Sequence, residues 1–302
     1  MKVLIFGSKG FIGNNLAIYL EGKGHEVWGA DILADNTHHK RYFHIGDSSD
    51  NYYSIFEHVI FDICINCSGA ASVPESLQDP GKDYFLNSVN VFKILVAIMR
   101  YQPNCKFINL SSAAVYGDPK ILPIREDSML DPLSPYGFHK MHSEQICKEF
   151  YELYGIHTCS LRIFSAYGDG LKKQLFWDLY LKAQTGKPFL LYGTGFESRD
   201  FIYILDLVKA IEIVSQNSDF KADIINIANG KGILIKDAVS IFFSFFWNEV
   251  VYSFSNEGRK GDPVNWEADI SKLKNFGYTN SFSLEAGLSL YSQWIKLNCA
   301  VG

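Results

Sequence analysis

Residues 3–13, VLIFGSKGFIG, contain the transition that decides the fold. Residues 3–6 are short and wholly apolar, which is typical of a strand buried on both faces of a parallel sheet. Gly7, Gly10 and Gly13 follow at three-residue spacing, and a helical spacing of apolar residues begins among them. Such glycines allow a tight turn, a close approach of backbone to a pyrophosphate, and a helix N-terminus that offers free N–H groups. The stretch therefore predicts a dinucleotide-binding turn.

An acidic residue ends the next strand-like run. Asp31 closes EVWGAD at residues 26–31, eighteen residues beyond Gly13. A carboxylate at this place accepts hydrogen bonds from both hydroxyls of an adenosine ribose, and it would repel a 2′-phosphate. The nearest basic residues, Lys40 and Arg41, do not follow it closely. We therefore expect NAD(H) rather than NADP(H) as the cofactor.

Apolar and amphipathic segments alternate through the first two thirds of the chain. Residues 62–66 and 106–110 are strand-like, and helical patterns cover residues 83–101 and 136–154. Alternation of this kind predicts an α/β fold with a doubly wound parallel sheet of the Rossmann type, flanked by helices on both faces.

The pattern becomes less regular from about Leu171. Short strand-like pieces and helices alternate there, separated by joins rich in glycine and proline. We expect a smaller, mixed α/β C-terminal substrate lobe. The cofactor domain is expected over residues 1–170 and the substrate lobe over residues 171–302, with some of the chain crossing back to the first sheet.

The composition excludes several classes of function. The chain has 302 residues, of which 47% are hydrophobic and 20% charged, as in folded globular proteins. Lys and Arg number 28 against 33 Asp and Glu, so the net charge of −5 lacks the basic excess of a nucleic-acid binder. Apolar stretches such as residues 238–247 are about half as long as the ~20 residues that span a bilayer. With no secretory signal visible, we expect a cytoplasmic protein without a membrane span.

The sequence offers no convincing metal site. Cys64 and Cys67 form a CxxC inside an apolar run, where strand alternation sends the two side chains to opposite faces. No second cysteine pair lies nearby to complete a zinc site. Four histidines also lack converging ligands and are expected to face solvent or to pack: His38, His39, His139 and His142.

A group of candidate catalytic residues lies in INLSSAAVYGDP at residues 108–119 and SPYGFHK at residues 134–140. Tyr136 and Lys140 are four residues apart at the start of a helix, so both project from one face. A tyrosine, with an ordinary pKa of about 10, is a poor base at neutral pH unless an ammonium group and a positive nicotinamide favour its phenolate. Ser112 stands at the carboxyl end of its strand, where its hydroxyl can bond the same substrate oxygen.

These motifs stand in the order found in a known family. The chain resembles the extended short-chain dehydrogenase/reductase family, in particular its nucleotide-sugar epimerase and dehydratase branch. The resemblance covers nearly the whole length and includes LRIFSAYG at residues 161–168, LYGTGFESRDFIY at 191–203 and GRKGDP at 258–263. It implies a catalytic triad and NAD as the cofactor. The triad is Ser112, Tyr136 and Lys140, and the cofactor residues are Gly7, Gly10, Phe11, Ile12, Gly13, Asp31, Asp47, Ser68, Gly69, Ala70, Asn87, Ser111, Tyr136 and Lys140.

The resemblance also implies the partners. The C-terminal lobe would bind a nucleotide-diphosphate sugar, a UDP-sugar above all, and Arg199 and Arg259 would grip its diphosphate, a bidentate task suited to guanidinium. Homodimerisation would use the helices at residues 83–101 and 136–154. The substrate-binding residues implied are Ser72, Ser112, Ser165, Arg199 and Arg259.

The same resemblance reduces the number of reactions of this branch that the chain could catalyse. The branch's 4,6-dehydratases carry an Asp–Glu pair after the catalytic hydroxyl residue, and its 3,5-epimerases carry a Cys there; this chain has Ala113 and Ala114. What remains is an NAD-dependent 4-epimerase, which oxidises C4 of the sugar transiently, or an NAD(P)H-dependent 4-keto-sugar reductase. Asp31 favours the epimerase. A third alternative, a non-catalytic NAD-binding scaffold, predicts loss of triad residues, and all three are present.

Overall fold

The computed structural model describes residues 1–34, 41–46, 52–246, 250–259 and 261–299. Asp47, expected near the adenine, lies outside these residues, as do His38, His39 and Lys40. Within them the chain forms one large sheet and two small ones, with helices packed around them. A search of the described helices finds none that is both long and apolar enough to cross a membrane.

The large sheet has seven described strands, all parallel, in the order β10-β6-β5-β4-β1-β2-β3. The chain builds outward from β1 to β2 and β3, and then returns to build β4, β5 and β6 on the other side. A crevice therefore opens between the carboxyl ends of β1 and β4, where such sheets bind ligands. The strands are β1 Lys2–Phe6, β2 Glu26–Asp31, β3 Tyr42–His44, β4 Ile63–Asn66, β5 Lys106–Ser112, β6 Thr158–Ile163 and β10 Lys221–Ile227.

The apolar run of β1 is continuous because each of its faces is buried. Val3 and Ile5 belong to one hydrophobic cluster, whereas Leu4 and Phe6 belong to a second. Successive side chains of a strand point to opposite faces, so the two clusters lie on the two sides of the sheet. This is the doubly wound arrangement that the sequence predicts, and the predicted fold class is confirmed.

Helices follow the strands in chain order. Helix α1 packs against α8, while α5 packs against both α2 and α6. The helices between β1 and β6 are α1 Phe11–Gly22, α2 Tyr52–His58, α3 Val73–Gln78, α4 Pro80–Tyr84, α5 Asn90–Tyr101 and α6 Pro135–Tyr154; the later ones are α7 Gln174–Gln184, α8 Ile204–Asn217, α9 Ile235–Ser244, α10 Ser271–Asn275 and α11 Leu284–Cys299.

The expectation of one helix over residues 83–101 is wrong in detail. A π-helical turn, Phe85–Val89, lies between α4 and α5. Such turns insert an extra residue into a helix and occur often at functional sites. Here the turn buries Asn87 and Ser88, and the Ser88 hydroxyl donates to the carbonyl of His139 on α6 (3.0 Å).

The chain after residue 170 contributes strands to the large sheet and to both small ones. Strand β10 returns to the large sheet and pairs with β6. Two smaller sheets complete the described strands, one of three strands in the order β11-β9-β7 and one that pairs β8 with β12. Their strands are β7 Ser165–Tyr167, β8 Phe189–Leu191, β9 Ser198–Tyr203, β11 Gly232–Leu234 and β12 Tyr252–Phe254.

Candidate active site

Gly7 and Gly10 leave the backbone of the turn after β1 uncovered by side chains on the side that faces the crevice. Gly7 has φ +73°, and a β-carbon there would lie 2.7 Å from the main-chain nitrogen of Ser68. Gly10 is the N-cap of α1 and has no side chain to occupy the first N–H groups of the helix. Those groups can therefore bind an anion. Phe11 and Ile12 are half-buried and pack against the core beside it.

Asp31 lies next to this turn, at the end of β2. Its Oδ2 accepts a hydrogen bond from the Lys9 N–H (2.9 Å), and its Oδ1 accepts one from the Leu33 N–H (3.2 Å). A carboxylate can accept about four hydrogen bonds, so two positions remain for a pair of ribose hydroxyls. The buried Ser8 hydroxyl beside it has no partner among the described residues. These groups fit the adenosine end of NAD.

The turn after β4 forms the other wall of the crevice. The Ser68 N–H and hydroxyl both donate to Asn66 Oδ1, at 3.2 and 2.5 Å. At Gly69, φ is +122° and a β-carbon would lie 2.6 Å from Asn87 Oδ1; Ala70 follows it. The Asn87 amide is buried with no protein partner in the described part of the chain. A buried amide left unpaired is costly, so this wall also fits a bound dinucleotide.

Tyr136 and Lys140 come from the first turns of α6. Ser134 caps this helix by accepting from the Gly137 N–H (3.2 Å), and Pro135 starts it. Lys140 Nζ lies 5.9 Å from the centre of the Tyr136 ring and donates to the Leu110 carbonyl (2.8 Å). The structure therefore brings the two side chains together at the carboxyl end of β5.

Ser112 completes this group from the end of β5. Its Oγ accepts from the Ala114 N–H (3.1 Å), and its hydroxyl lies near enough to that of Tyr136 to lower the pKa of the phenol. The neighbouring Ser111 instead donates to Glu144 Oε1 (2.5 Å), and its contact with the cofactor stays a prediction. The three triad residues predicted from the sequence thus form one cluster.

Burial sets the protonation of the triad. It raises the pKa of Tyr136 to about 12, and the hydrogen bond from Ser112 opposes this rise. Burial also lowers the pKa of Lys140 to about 8, while nearby negative charge, that of Asp83 most strongly, opposes the fall. Tyr136 therefore needs additional positive charge beside it to act as a base at neutral pH.

The two arginines of the C-terminal part lie around one acid. Burial raises the pKa of Asp262, and the charges of Arg199 and Arg259 oppose this rise. Arg199 stacks on Trp266, with its guanidinium 5.6 Å from the ring centre, and Arg259 stacks on Tyr192 at 4.9 Å. Two stacked guanidinium groups whose charges act on the same acid can hold a diphosphate.

The segment that carries Arg259 packs onto the catalytic helix. A β-carbon at Gly261 would lie 2.9 Å from Val73 Cγ1 and 3.6 Å from Ser134 Cβ. Of the other predicted substrate residues, Ser72 caps α3 by accepting from the Glu75 N–H (3.3 Å). Ser165 is half-buried at the start of β7. Direct contact of these residues with a substrate stays a prediction.

Several residues of the site are absent from the sequence-based prediction. Ser76 accepts from the Tyr136 N–H (3.2 Å) and so ties α3 to the catalytic helix. His139, expected to face solvent or to pack, is bonded through Nδ1 to the buried Asp83 (2.5 Å). The partners are about 60 and 56 positions apart in the chain, and no local pattern in the sequence signals either contact. Among the residues that the structure describes, no cluster of three or more His, Cys, Asp or Glu side chains could hold a metal ion.

Comparison with known proteins places this geometry in a family. The model of the NAD dependent epimerase/dehydratase family matches residues 3–228. The chain is 28% identical to a putative UDP-glucose 4-epimerase of Methanocaldococcus jannaschii, over 98% of this chain and 99% of the relative. It is 29% identical to an uncharacterized UDP-glucose epimerase of Bacillus subtilis, over 96% of each chain.

Solved structures agree with the sequence relatives. The UDP-glucuronic acid 4-epimerase of Bacillus cereus, in complex with UDP-glucuronic acid and NAD, superposes with a TM-score of 0.88 at 25% identity, over 98% of this chain and 99% of that one. The UDP-N-acetylglucosamine 4-epimerase of Methanobrevibacter ruminantium, in complex with UDP-N-acetylmuramic acid, gives 0.86 at 26% identity, over 97% of each chain.

Proposed function

Because the chain belongs to the NAD dependent epimerase/dehydratase family, we propose that it is an NAD-dependent nucleotide-sugar 4-epimerase that acts on a UDP-sugar. The observation that carries the proposal is the cluster of Ser112, Tyr136 and Lys140 beside the glycine turn, with Ala113 and Ala114 where other chemistries need an acid or a thiol. The relatives described above are named as UDP-sugar epimerases, and they offer no support for the ketoreductase alternative.

Tyr136 transfers the proton, and Ser112 and Lys140 assist it. Bound NAD⁺ would supply reversible hydride transfer at C4 of the sugar, so that a transient 4-keto sugar could be reduced from its opposite face. Tyr136 takes the proton of the C4 hydroxyl and gives it back, and Ser112 holds the same oxygen. Lys140 contributes the positive charge that favours the phenolate of Tyr136.

The remaining predicted residues bind and orient. Arg199 and Arg259 hold the diphosphate, which leaves the sugar free to turn over between the two hydride transfers. The glycine turn and the N-terminus of α1 hold the pyrophosphate of the cofactor, and Asp31 holds its adenosine ribose. Residues 1–170 then form the cofactor domain and residues 171–302 the nucleotide-sugar lobe.

The proposal includes a homodimer through α5 and α6. Large apolar side chains on this side of the molecule are exposed, among them Phe85 on the π-helical turn, Phe92 on α5 and Phe138 on α6, each by 40–44%. Phe92 packs edge-on against Phe150 of α6, which makes the two helices one surface. A patch of this kind marks an interface in many proteins. The enzyme would act in the cytoplasm, in carbohydrate biosynthesis.

A screen of substrates without added cofactor tests the proposal. The purified protein is incubated with UDP-glucose, UDP-galactose, UDP-glucuronic acid or UDP-N-acetylglucosamine, and the products are identified by proton NMR. We expect conversion of at least one sugar to its 4-epimer, and stoichiometric NAD⁺ on denaturation of the protein. An empty site together with consumption of added NADPH would contradict the epimerase and favour the reductase.

A further inference from the structure

A buried acid on α4 faces the catalytic helix. Asp83 is 3% exposed, and its Oδ1 is bonded to His139 Nδ1 (2.5 Å), one residue before Lys140. Its Oδ2 is buried with no hydrogen-bond partner in the described part of the chain. The His139 ring is held in turn by Tyr84, which packs edge-on against it with ring centres 5.2 Å apart. Nothing in the proposed mechanism uses this pair.

The negative charge of Asp83 acts on two residues of the triad. It raises the pKa of Lys140 and that of Tyr136. For Lys140 this effect opposes burial, which lowers the pKa of a side chain that is only 6% exposed. Lys140 needs its proton in order to stabilise the phenolate of Tyr136.

The other titratable groups around Lys140 raise its pKa less than Asp83 does. Glu144 on α6 faces Lys140, but Arg162 of β6 binds it at both oxygens, at 2.7 and 3.0 Å. Cys67, which follows β4, also faces Lys140; burial raises the pKa of its thiol to about 12, so it is uncharged.

The remaining elements packed on α6 offer neutral groups or distant ones. Ser76 of α3 and Ser88 of the π-helical turn are the polar side chains that bond the backbone of α6, and His142 on α6 itself is exposed. Tyr116, from the 3₁₀ turn after β5, donates to Asn226 Oδ1 on β10 and accepts from Arg162. Asp83 is left as the acid that pairs with no arginine or lysine among the described contacts; its partner there is His139.

We propose that Asp83, held in place by His139, is a positioning residue that supplies the counter-charge keeping Lys140 protonated during the reaction. The role of Lys140 rests on the proposed function, but its protonation can be measured without turnover. A purely structural role for Asp83 in packing α4 against α6 would leave the titration of Lys140 unchanged.

The test measures the titration of Lys140 directly. The protein, purified with its bound cofactor, is labelled with ¹³C at the ε-carbon of lysine, and the Lys140 signal is assigned by its loss in Lys140→Arg. In Asp83→Asn we expect the midpoint of the Lys140 titration to fall by about one pH unit. The bell-shaped pH profile of kcat/KM moves in the same direction, because Tyr136 also loses the nearby negative charge. His142→Gln, on the exposed face of α6, is the matched control and leaves the midpoint unchanged.

A second pair of variants covers the case in which Asp83→Asn fails to fold. His139→Ala leaves the buried Asp83 carboxylate without its bonded partner, which disfavours a negative charge at this place, so we expect the Lys140 midpoint to fall. His139→Gln restores a donor to Asp83 and returns the midpoint toward that of the wild type. An unchanged midpoint in a folded Asp83→Asn or in His139→Ala overturns the proposal. The titration needs no substrate, so it still decides the role of Asp83 if no UDP-sugar is epimerised.

Discussion

Gly13 packs so closely on Gly7 that a β-carbon at position 13 would lie 2.1 Å from the Gly7 carbonyl oxygen. The contact sets the distance between the first turn of α1 and the glycine turn. The N–H groups at the start of the helix thereby reach the place proposed for the pyrophosphate.

Gly13→Ala is expected to displace this turn. Because the obstructing atoms belong to the backbone, the overpacking should cost about 1–3 kcal/mol of stability and greatly weaken NAD binding. Gly22, in the last turn of the same helix, has nothing within 4 Å of its would-be β-carbon, so Gly22→Ala is the matched control and should be close to neutral. Thermal unfolding with and without NAD checks both, and equal losses in the two variants would argue against the close contact as the cause.

Tyr136→Phe is expected to lower kcat by about 10²–10⁴-fold, because it removes the group that we propose accepts and returns the C4 proton. The main-chain bond from Tyr136 to Ser76 is unaffected, so the fold and the bound NAD should persist. Initial rates with the best UDP-sugar of the screen, and the amount of NAD released on denaturation, measure the two effects separately. Near-normal turnover by the variant would remove Tyr136 from the mechanism.

Arg199→Lys is expected to raise the KM for the UDP-sugar about tenfold or more while affecting kcat less. Lysine cannot make paired hydrogen bonds to a diphosphate, and hydrogen bonds to charged groups contribute about 1.5–3 kcal/mol. Inhibition by UDP should weaken in parallel, since it shares the diphosphate. A loss confined to kcat would mean that Arg199 acts on the reacting sugar and not on the diphosphate.

Glu144→Gln is expected to destabilise the protein by about 3–5 kcal/mol, since it leaves the buried Arg162 without its carboxylate partner. Both side chains of this pair are at most 4% exposed. The pair Lys148 and Glu152 lies on the same helix with both side chains more than half exposed, so Glu152→Gln is the control and should have little effect. Denaturant unfolding at neutral pH measures both variants; similar midpoints would contradict a role for burial.

Lys140→Met should be inactive and yet more stable than the wild type at pH 7, when both are compared without cofactor. The pKa of Lys140 falls from 10.5 to about 8 on folding, so below pH 8 the folded protein carries the full cost of a buried ammonium, about 3 kcal/mol. Between pH 8 and 10.5 the unfolded chain binds more protons, so the stability of the wild type rises with pH. The advantage of Lys140→Met should therefore shrink over that range, and a constant difference would show that lost packing or hydrogen bonding dominates.

The parts of the site that were predictable are those encoded within a short stretch of chain. The glycine turn, the start of α1 and Asp31 follow from spacing alone, and Tyr136 and Lys140 lie one helical turn apart. Ser112 joins them because the carboxyl ends of parallel strands meet at one edge of the sheet.

The parts that were not predictable depend on packing between distant segments. No residue near His139 in the sequence indicates that its partner is Asp83. The π-helical turn after α4 interrupts an amphipathic pattern that predicts a single helix. Arg162 lies in β6, and the composition of this strand predicts only that the strand is buried. Glu144 becomes the partner of Arg162 when α6 packs on the sheet.

The place of β10 beside β6 has a consequence for how this protein is made. A ribosome releases residues 1–170 long before residues 221–227, and until then one side of β6, whose six residues are all buried in the folded protein, has no neighbouring strand. Unpaired hydrophobic edges invite association with other chains, so nascent chains of intermediate length are the vulnerable species. We therefore expect a fragment that ends near residue 170 to aggregate, because the large sheet is complete only when residues 221–227 have been added.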